Sequence, residues 1–158
     1  MKIGVFAGSF CPVTLGHVDA IEHASKLVDK LFVVMGINAS KNYVIPKESR
    51  LDMLTRSLQH ISNVMVVATD GMLTDFCQEI GATVMIKSIR NALDLQQVID
   101  LADINENYWD GETVFVVGSK EYRHVSSSLV RELAGLGKDF SAYVPACCVE
   151  EITKFLVR

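Results

Sequence analysis

Residues 8–17 read GSFCPVTLGH and gather Gly8, Ser9, Pro12, Thr14, Gly16 and His17 between an apolar run, KIGVFA, and a stretch with helical spacing. That combination suits an anion. Gly8 lets the backbone approach a ligand closely, Ser9 offers a hydroxyl, and Pro12 fixes its own φ and so the shape of the loop. Thr14 is placed as an N-cap, with Gly16 and His17 in the first helical turn. A helix start exposes unpaired N–H groups and a partial positive charge, both of which stabilise a phosphate. His17 adds a hydrogen bond, charge-assisted if the ring is protonated. The same ten residues also read as a capped turn with an exposed His, and residue types alone leave both readings open.

A second stretch, YRHVSSSLVR at 122–131, sets three serines where a helix opens. Their hydroxyls flank exposed N–H groups, and Arg131 lies one turn further on, giving a second anion-type helix start. Three cations follow other apolar runs: Lys41 within NASK, then Lys87 and Arg90 within KSIR. Each is individually an ordinary surface charge. Their common position after strand-like segments argues for convergence. Asp94, Asp100 and Asp103 fall on one helical stretch and read as its solvated face. There is no Walker G-x-x-x-x-G-K-[ST], no G-x-G-x-x-G, no Ser-His-Asp set and no C-x-x-C pair. Cys11, Cys77, Cys147 and Cys148 read as four reduced thiols.

The elements that must position these residues alternate. Val- and Ile-rich runs at 2–7, 31–37, 64–68, 83–87 and 113–117 have the continuous hydrophobicity of strands covered on both faces. Stretches at 15–29, 47–60, 72–80, 92–107, 128–136 and 145–157 have helical spacing. The fold class is therefore α/β: a single-domain, doubly wound, Rossmann-like five-stranded parallel sheet over residues 1–158, with helices on both faces. In such a sheet, ligands bind beyond the carboxyl ends of the strands where strand order reverses. The 158 residues suffice for one core, with 49% hydrophobic and 22% charged residues. A net charge of −4 argues against a nucleic-acid partner held by phosphate neutralisation. No run approaches the roughly 18–20 apolar residues of a membrane span. Met1-Lys2 leads straight into a short strand without the h-region of a signal peptide. The expectation is a cytoplasmic protein with no membrane partner.

GSFCPVTLGH resembles the G-[ST]-F-D-P-x-T-x-G-H signature of the HxGH/TxGH nucleotidylyltransferases, and VSSSLVRE resembles their I-S-S-S-L-V-[KR]-E motif. Thr14 together with three serines is similar to the bacterial phosphopantetheine adenylyltransferase family in particular. The resemblance covers essentially the whole chain. It implies transfer of an adenylyl group from ATP, with Mg²⁺, to 4′-phosphopantetheine, giving dephospho-coenzyme A and pyrophosphate. It implies catalytic roles for His17, Lys41 and Arg90. It implies ATP binding by Ser9, Phe10, His17, Ser88, Ile89, Arg90, Val98, Tyr122, Arg123, His124, Val125, Ser126, Ser127 and Ser128. It implies acceptor binding by Ser9, Lys41, Leu73 and Lys87, no metal held by the protein alone, and a homohexamer.

This sequence departs from the family at four positions. Cys11 stands for Asp, Lys87 for the first Arg of R-G-[LI]-R, Ser88 for the Gly that follows, and Val98 for a Glu near the nucleotide ribose. Lys87 keeps a charge but loses the bidentate fork, and Val98 loses an acceptor. These departures keep two other readings open: a sister nucleotidylyltransferase with a different phosphorylated acceptor, and a nucleotide-binding module without turnover.

Overall fold

The computed structural model describes residues 1–158. Five strands, β1 (Ile3–Gly8), β2 (Lys30–Gly36), β3 (Val64–Thr69), β4 (Val84–Ile89) and β5 (Glu112–Val117), pair in the order β3-β2-β1-β4-β5, all parallel. Six helices connect and close them: α1 (Leu15–Ser25), α2 (Lys47–Leu58), α3 (Leu73–Glu79), α4 (Ala92–Asn105), α5 (Ser127–Gly135) and α6 (Val149–Leu156). The expected 145–157 helix begins as a 3₁₀ turn at Ala146–Cys148 and becomes α-helical only at Val149.

Side chains alternate across each strand. Phe6, Val33, Met35, Val84, Ile86 and Val116 meet apolar residues of α1, α2, α5 and α6 in the larger core. Val5, Val34 and Met85 point the other way, towards Cys77 and Trp109. Strand order reverses between β1 and β4. These two strands pair only at Gly4–Val84 and Val5–Met85, whereas β1 and β2 pair along their whole length. The carboxyl ends of β1 and β4 therefore diverge and leave a crevice at the switch point.

α4 differs from its sequence reading. Leu95, Val98, Ile99, Ala102 and Ile104 have the spacing of a buried stripe, yet no residue of α4 is buried. The chain folds back over only part of this helix, because β5 is the last strand and nothing packs outside it. No helix is long and apolar enough to cross a membrane.

Candidate active site

The loop after β1 makes its turn at Phe10, which has φ +47°, a left-handed conformation uncommon outside Gly. The reversal tucks the Phe10 ring, 1% exposed, beneath His17 with centroids 5.0 Å apart. Phe10 thus supports the site from below. Thr14 caps α1 through a capping box: the His17 N–H donates to Thr14 Oγ1 at 3.3 Å, and the Thr14 N–H donates to His17 Nδ1 at 3.0 Å. Nδ1 is an acceptor in this arrangement, so the neutral ring carries its proton on Nε2. Burial, and secondarily the Arg90 guanidinium, push the His17 pKa down to about 4. The ring is therefore a neutral donor at pH 7 rather than the cation that its sequence position allows.

Gly16 explains how the two anion-type helix starts meet. A Cβ there would lie 2.9 Å from Val125 O, so only glycine lets α1 approach the loop before α5 this closely. The three serines have separate partners. Ser126 caps α5, accepting from the Leu129 N–H at 3.1 Å. Ser127 Oγ donates to Pro12 O at 2.7 Å, tying the two loops together. Ser128 Oγ accepts from Arg131 Nη2 at 3.2 Å, and Arg131 Nη1 donates to Cys11 O at 2.6 Å. Arg131 is thus a clamp between loops as well as a nearby charge.

Arg90 is oriented by Asp94, whose Oδ2 accepts from both the Arg90 backbone N–H and Nε at 3.1 Å. The sequence reading of Asp94 as solvated is corrected here: it is half-buried and fixes a site cation, while Asp100 accepts from Gln96 on the same helix at 2.9 Å. Another acid without a sequence-level role, Asp19, is buried and accepts from the Ser119 N–H at 2.7 Å and the Ser119 hydroxyl at 2.6 Å. It joins α1 to the segment after β5.

These parts enclose a cavity of about 320 Å³ whose wall includes His17, Ser88, Arg90, Val98 and Val125 to Ser128. Ile89, Tyr122 and Arg123 line a smaller adjoining recess with Ser88 and Arg90. His124 is exposed, and its ring packs edge-on against Tyr143 at 5.9 Å instead of lining either space. Ser9 and Lys41 line a second cavity, about 350 Å³, with Cys11, Tyr43, Ser127 and Arg131. Ser127 faces both large cavities, so they are contiguous. Leu73 and Lys87 are not gathered with Ser9 and Lys41; they lie on the α3 side of the sheet. There Leu73 packs on the smaller core. Burial lowers the Lys87 pKa, and the nearby Cys77 thiol, itself pushed up to about 11 mainly by burial, acts in the opposite sense on the amine.

One residue of the site escaped the sequence reading. Arg50 of α2 is 2% exposed and donates from Nη1 to Ser9 O at 2.8 Å. Its signal was periodicity: Arg50, Leu54 and Leu58 share one stripe, and all three are buried.

A parallel sheet with two phosphate-type helix starts facing one crevice is an architecture for a nucleotide or other polyphosphate. Consistent with this, the model of the cytidylyltransferase-like family matches residues 5–133. Phosphopantetheine adenylyltransferase of Limosilactobacillus reuteri (strain DSM 20016) is 41% identical, over 100% of this chain and 92% of that protein. The phosphopantetheine adenylyltransferases of Streptococcus pneumoniae (strain JJA), at 42%, and Leifsonia xyli subsp. xyli, at 40%, match over 96% and 94% of this chain and 94% and 96% of their own lengths. A crystal structure from Vibrio parahaemolyticus, provisionally assigned as a nicotinate-nucleotide adenylyltransferase, shares the fold with a TM-score of 0.64 at 24% identity, covering 96% of this chain and 91% of that one. The chain belongs to the phosphopantetheine adenylyltransferase family.

Proposed function

We propose that the protein transfers the adenylyl group of ATP to 4′-phosphopantetheine, yielding dephospho-coenzyme A and pyrophosphate. The observation that carries this reading is the convergence of the His17 Nε2–H, Arg90 and the α5 start on one cavity at the β1/β4 switch point. ATP occupies that cavity. His17, Arg90 and Ser126 to Ser128 hold its phosphates, with backbone groups of Phe10 and Ile89 beneath. Tyr122, Arg123 and Val125 flank the base, and Val98 and Ser88 the ribose side, while His124 stays outside against Tyr143. The acceptor phosphate lies against Ser9 and Lys41 in the contiguous cavity. Leu73 and Lys87, on the α3 side of the sheet, are assigned to the acceptor by the family resemblance alone.

An acceptor phosphate oxygen forms the new P–O bond to the α-phosphorus as the α–β bridging P–O bond breaks, and pyrophosphate leaves with that bond's electron pair. The phosphate is already a nucleophile, so no general base is needed. The protein contributes alignment and donors aimed at the developing charge. No group of three or more acidic, His or Cys side chains is placed to hold a metal, and Asp94 is engaged by Arg90. Mg²⁺ accordingly enters as part of the nucleotide substrate, Mg·ATP.

The apolar residues Leu93, Leu101 and Ile104 of α4 and Phe115 and Val117 of β5 are uncovered within the chain. Their exposure supports a homo-oligomer, for which the family resemblance implies a hexamer, in a one-domain cytoplasmic enzyme with four free thiols. Incubation with Mg·ATP and 4′-phosphopantetheine, followed by mass spectrometry for dephospho-coenzyme A, tests the reaction. A clear preference for another phosphorylated acceptor, or no product from any, would overturn it.

A further inference from the structure

Arg50 is the most deeply buried charge in the molecule. Nε donates to Ile45 O at 3.1 Å and Nη1 to Ser9 O at 2.8 Å, and the Tyr43 ring covers the guanidinium with Cζ 3.9 Å from its centroid. It makes no ion pair, and Nη2 has no hydrogen-bond partner. A guanidinium stays protonated in proteins. Burying such a charge without a counter-ion is strongly unfavourable. Two carbonyl dipoles reduce that cost and leave the net charge in place.

What adjoins this charge is the acceptor-side cavity. Ser9 and Tyr43, two of the groups that hold Arg50, form part of its wall, with Lys41 and Arg131. No carboxylate lines it. Cys11 is in the wall, at the position where the family pattern has Asp. The cavity is thus lined by two cations, with Arg50 behind Ser9 and Tyr43 and no carboxylate in the wall to balance them.

We infer that Arg50 is a fixed positive charge beneath this cavity, and that the phosphate of the acceptor is its counter-ion. It is a positioning residue: it holds the Ser9 carbonyl, and its field favours a dianion over a neutral group at the same place. The inference rests on the reading that the acceptor phosphate binds beside Ser9 and Lys41.

The test is calorimetry on the full-length protein with 4′-phosphopantetheine and with unphosphorylated pantetheine, comparing wild type, Arg50→Gln and Arg50→Lys. Wild type should prefer the phosphorylated form. Arg50→Gln should lose roughly tenfold or more of that preference, the size expected of one charge several ångströms away in a partly screened site. Its affinity for Mg·ATP and for pantetheine should stay within a few-fold. KM for the acceptor should rise while KM for ATP does not. Arg50→Lys, which keeps the charge, should recover most of the preference. A folded Arg50→Gln that keeps the preference, or a folded Arg50→Lys that loses as much as Arg50→Gln, overturns the inference. If only Arg50→Lys folds, its own preference decides; if neither folds, Arg50 serves the fold and the inference fails. A wild type indifferent to the acceptor's phosphate would instead sink the acceptor reading. Arg50 would then be decided by the rise in melting temperature with inorganic phosphate at saturating Mg·ATP, which must shrink in Arg50→Gln and return in Arg50→Lys.

Discussion

Thr14 and His17 hold each other from both directions: the Thr14 N–H donates to His17 Nδ1 at 3.0 Å while the His17 N–H donates to Thr14 Oγ1 at 3.3 Å. One local motif thereby ends the loop, starts α1 and selects the tautomer of the ring that lines the cavity proposed for ATP. With Nδ1 committed, Nε2–H is the group left to meet a phosphate.

His17→Ala should therefore lower kcat by roughly 10² to 10³, the loss typical of one preorganised donor to developing charge. Because the free ring has its pKa near 4, kcat/KM should show no step near pH 6.5 attributable to this residue. Steady-state rates from pH 5 to 8 for wild type and His17→Ala check both points. A rate that falls as pH rises through about 6.5, and no longer does so in His17→Asn, would mean that the ring works as a cation.

The same shift makes an expectation about stability. The folded pKa lies below the unfolded value of 6.5, so the folded state binds fewer protons between about pH 6.5 and 4. The stabilisation from a neutral His17 is complete above that window and is lost as pH falls through it, by up to about 3 kcal/mol. Urea unfolding of wild type should weaken over this range, and His17→Gln should weaken less. Equal pH slopes would refute the assignment.

Ser126 and Ser128 should separate by measurement. Ser126→Ala removes a cap, at a cost of about 1 kcal/mol in stability, because the Leu129 N–H loses its partner. Ser128 is exposed and its hydroxyl meets only Arg131, so Ser128→Ala should leave the melting temperature within about a degree and raise KM for ATP. Thermal melts alongside ATP saturation curves distinguish the two. The reverse pattern would reject these separate roles.

Much of this arrangement was legible in local sequence. The five strands are short, continuous apolar runs, which is what burial on both faces requires. The Thr14 cap and the serine triplet are contiguous motifs whose chemistry acts within one helical turn. What was not legible depends on contacts across long separations. Asp19 meets Ser119, a hundred residues away, and Arg50 reaches Ser9 across forty-one. Arg50 follows Lys47 and Glu48 and reads as another surface charge until α2 is laid on the sheet. Lys87, read with Lys41 and Arg90 as following a strand, instead lies within β4, and alternation along that strand turns it to the α3 side. α4 misled for the opposite reason: its apolar spacing is real, and this chain alone does not cover it.

Asp19→Ala should destabilise the protein by about 2 to 3 kcal/mol, since the Ser119 N–H and hydroxyl both lose a buried charged acceptor. Asp19→Asn keeps one acceptor and should cost less. Both should raise KM for ATP, because Asp19 joins α1 to the segment leading to Ser126. Denaturant midpoints and ATP kinetics provide the check. An unchanged midpoint in Asp19→Ala would contradict the tie.

Val98→Glu should tighten ATP binding about three- to tenfold, the worth of one further hydrogen bond. Val98 lines the cavity proposed for ATP, at a position where the family resemblance implies a Glu near the ribose. Asp94 lies one turn earlier on α4, and two carboxylates at that spacing repel. Arg90 already engages Asp94 at 3.1 Å, which offsets part of the repulsion. The contact is diagnosed by comparing ATP with 3′-deoxy-ATP in both proteins. If the introduced carboxylate accepts from a ribose hydroxyl, the variant should gain affinity for ATP and less or none for the deoxynucleotide. Equal gains for the two nucleotides would move this position of α4 away from the ribose, and a loss for both would mean that repulsion from Asp94 outweighs the new bond.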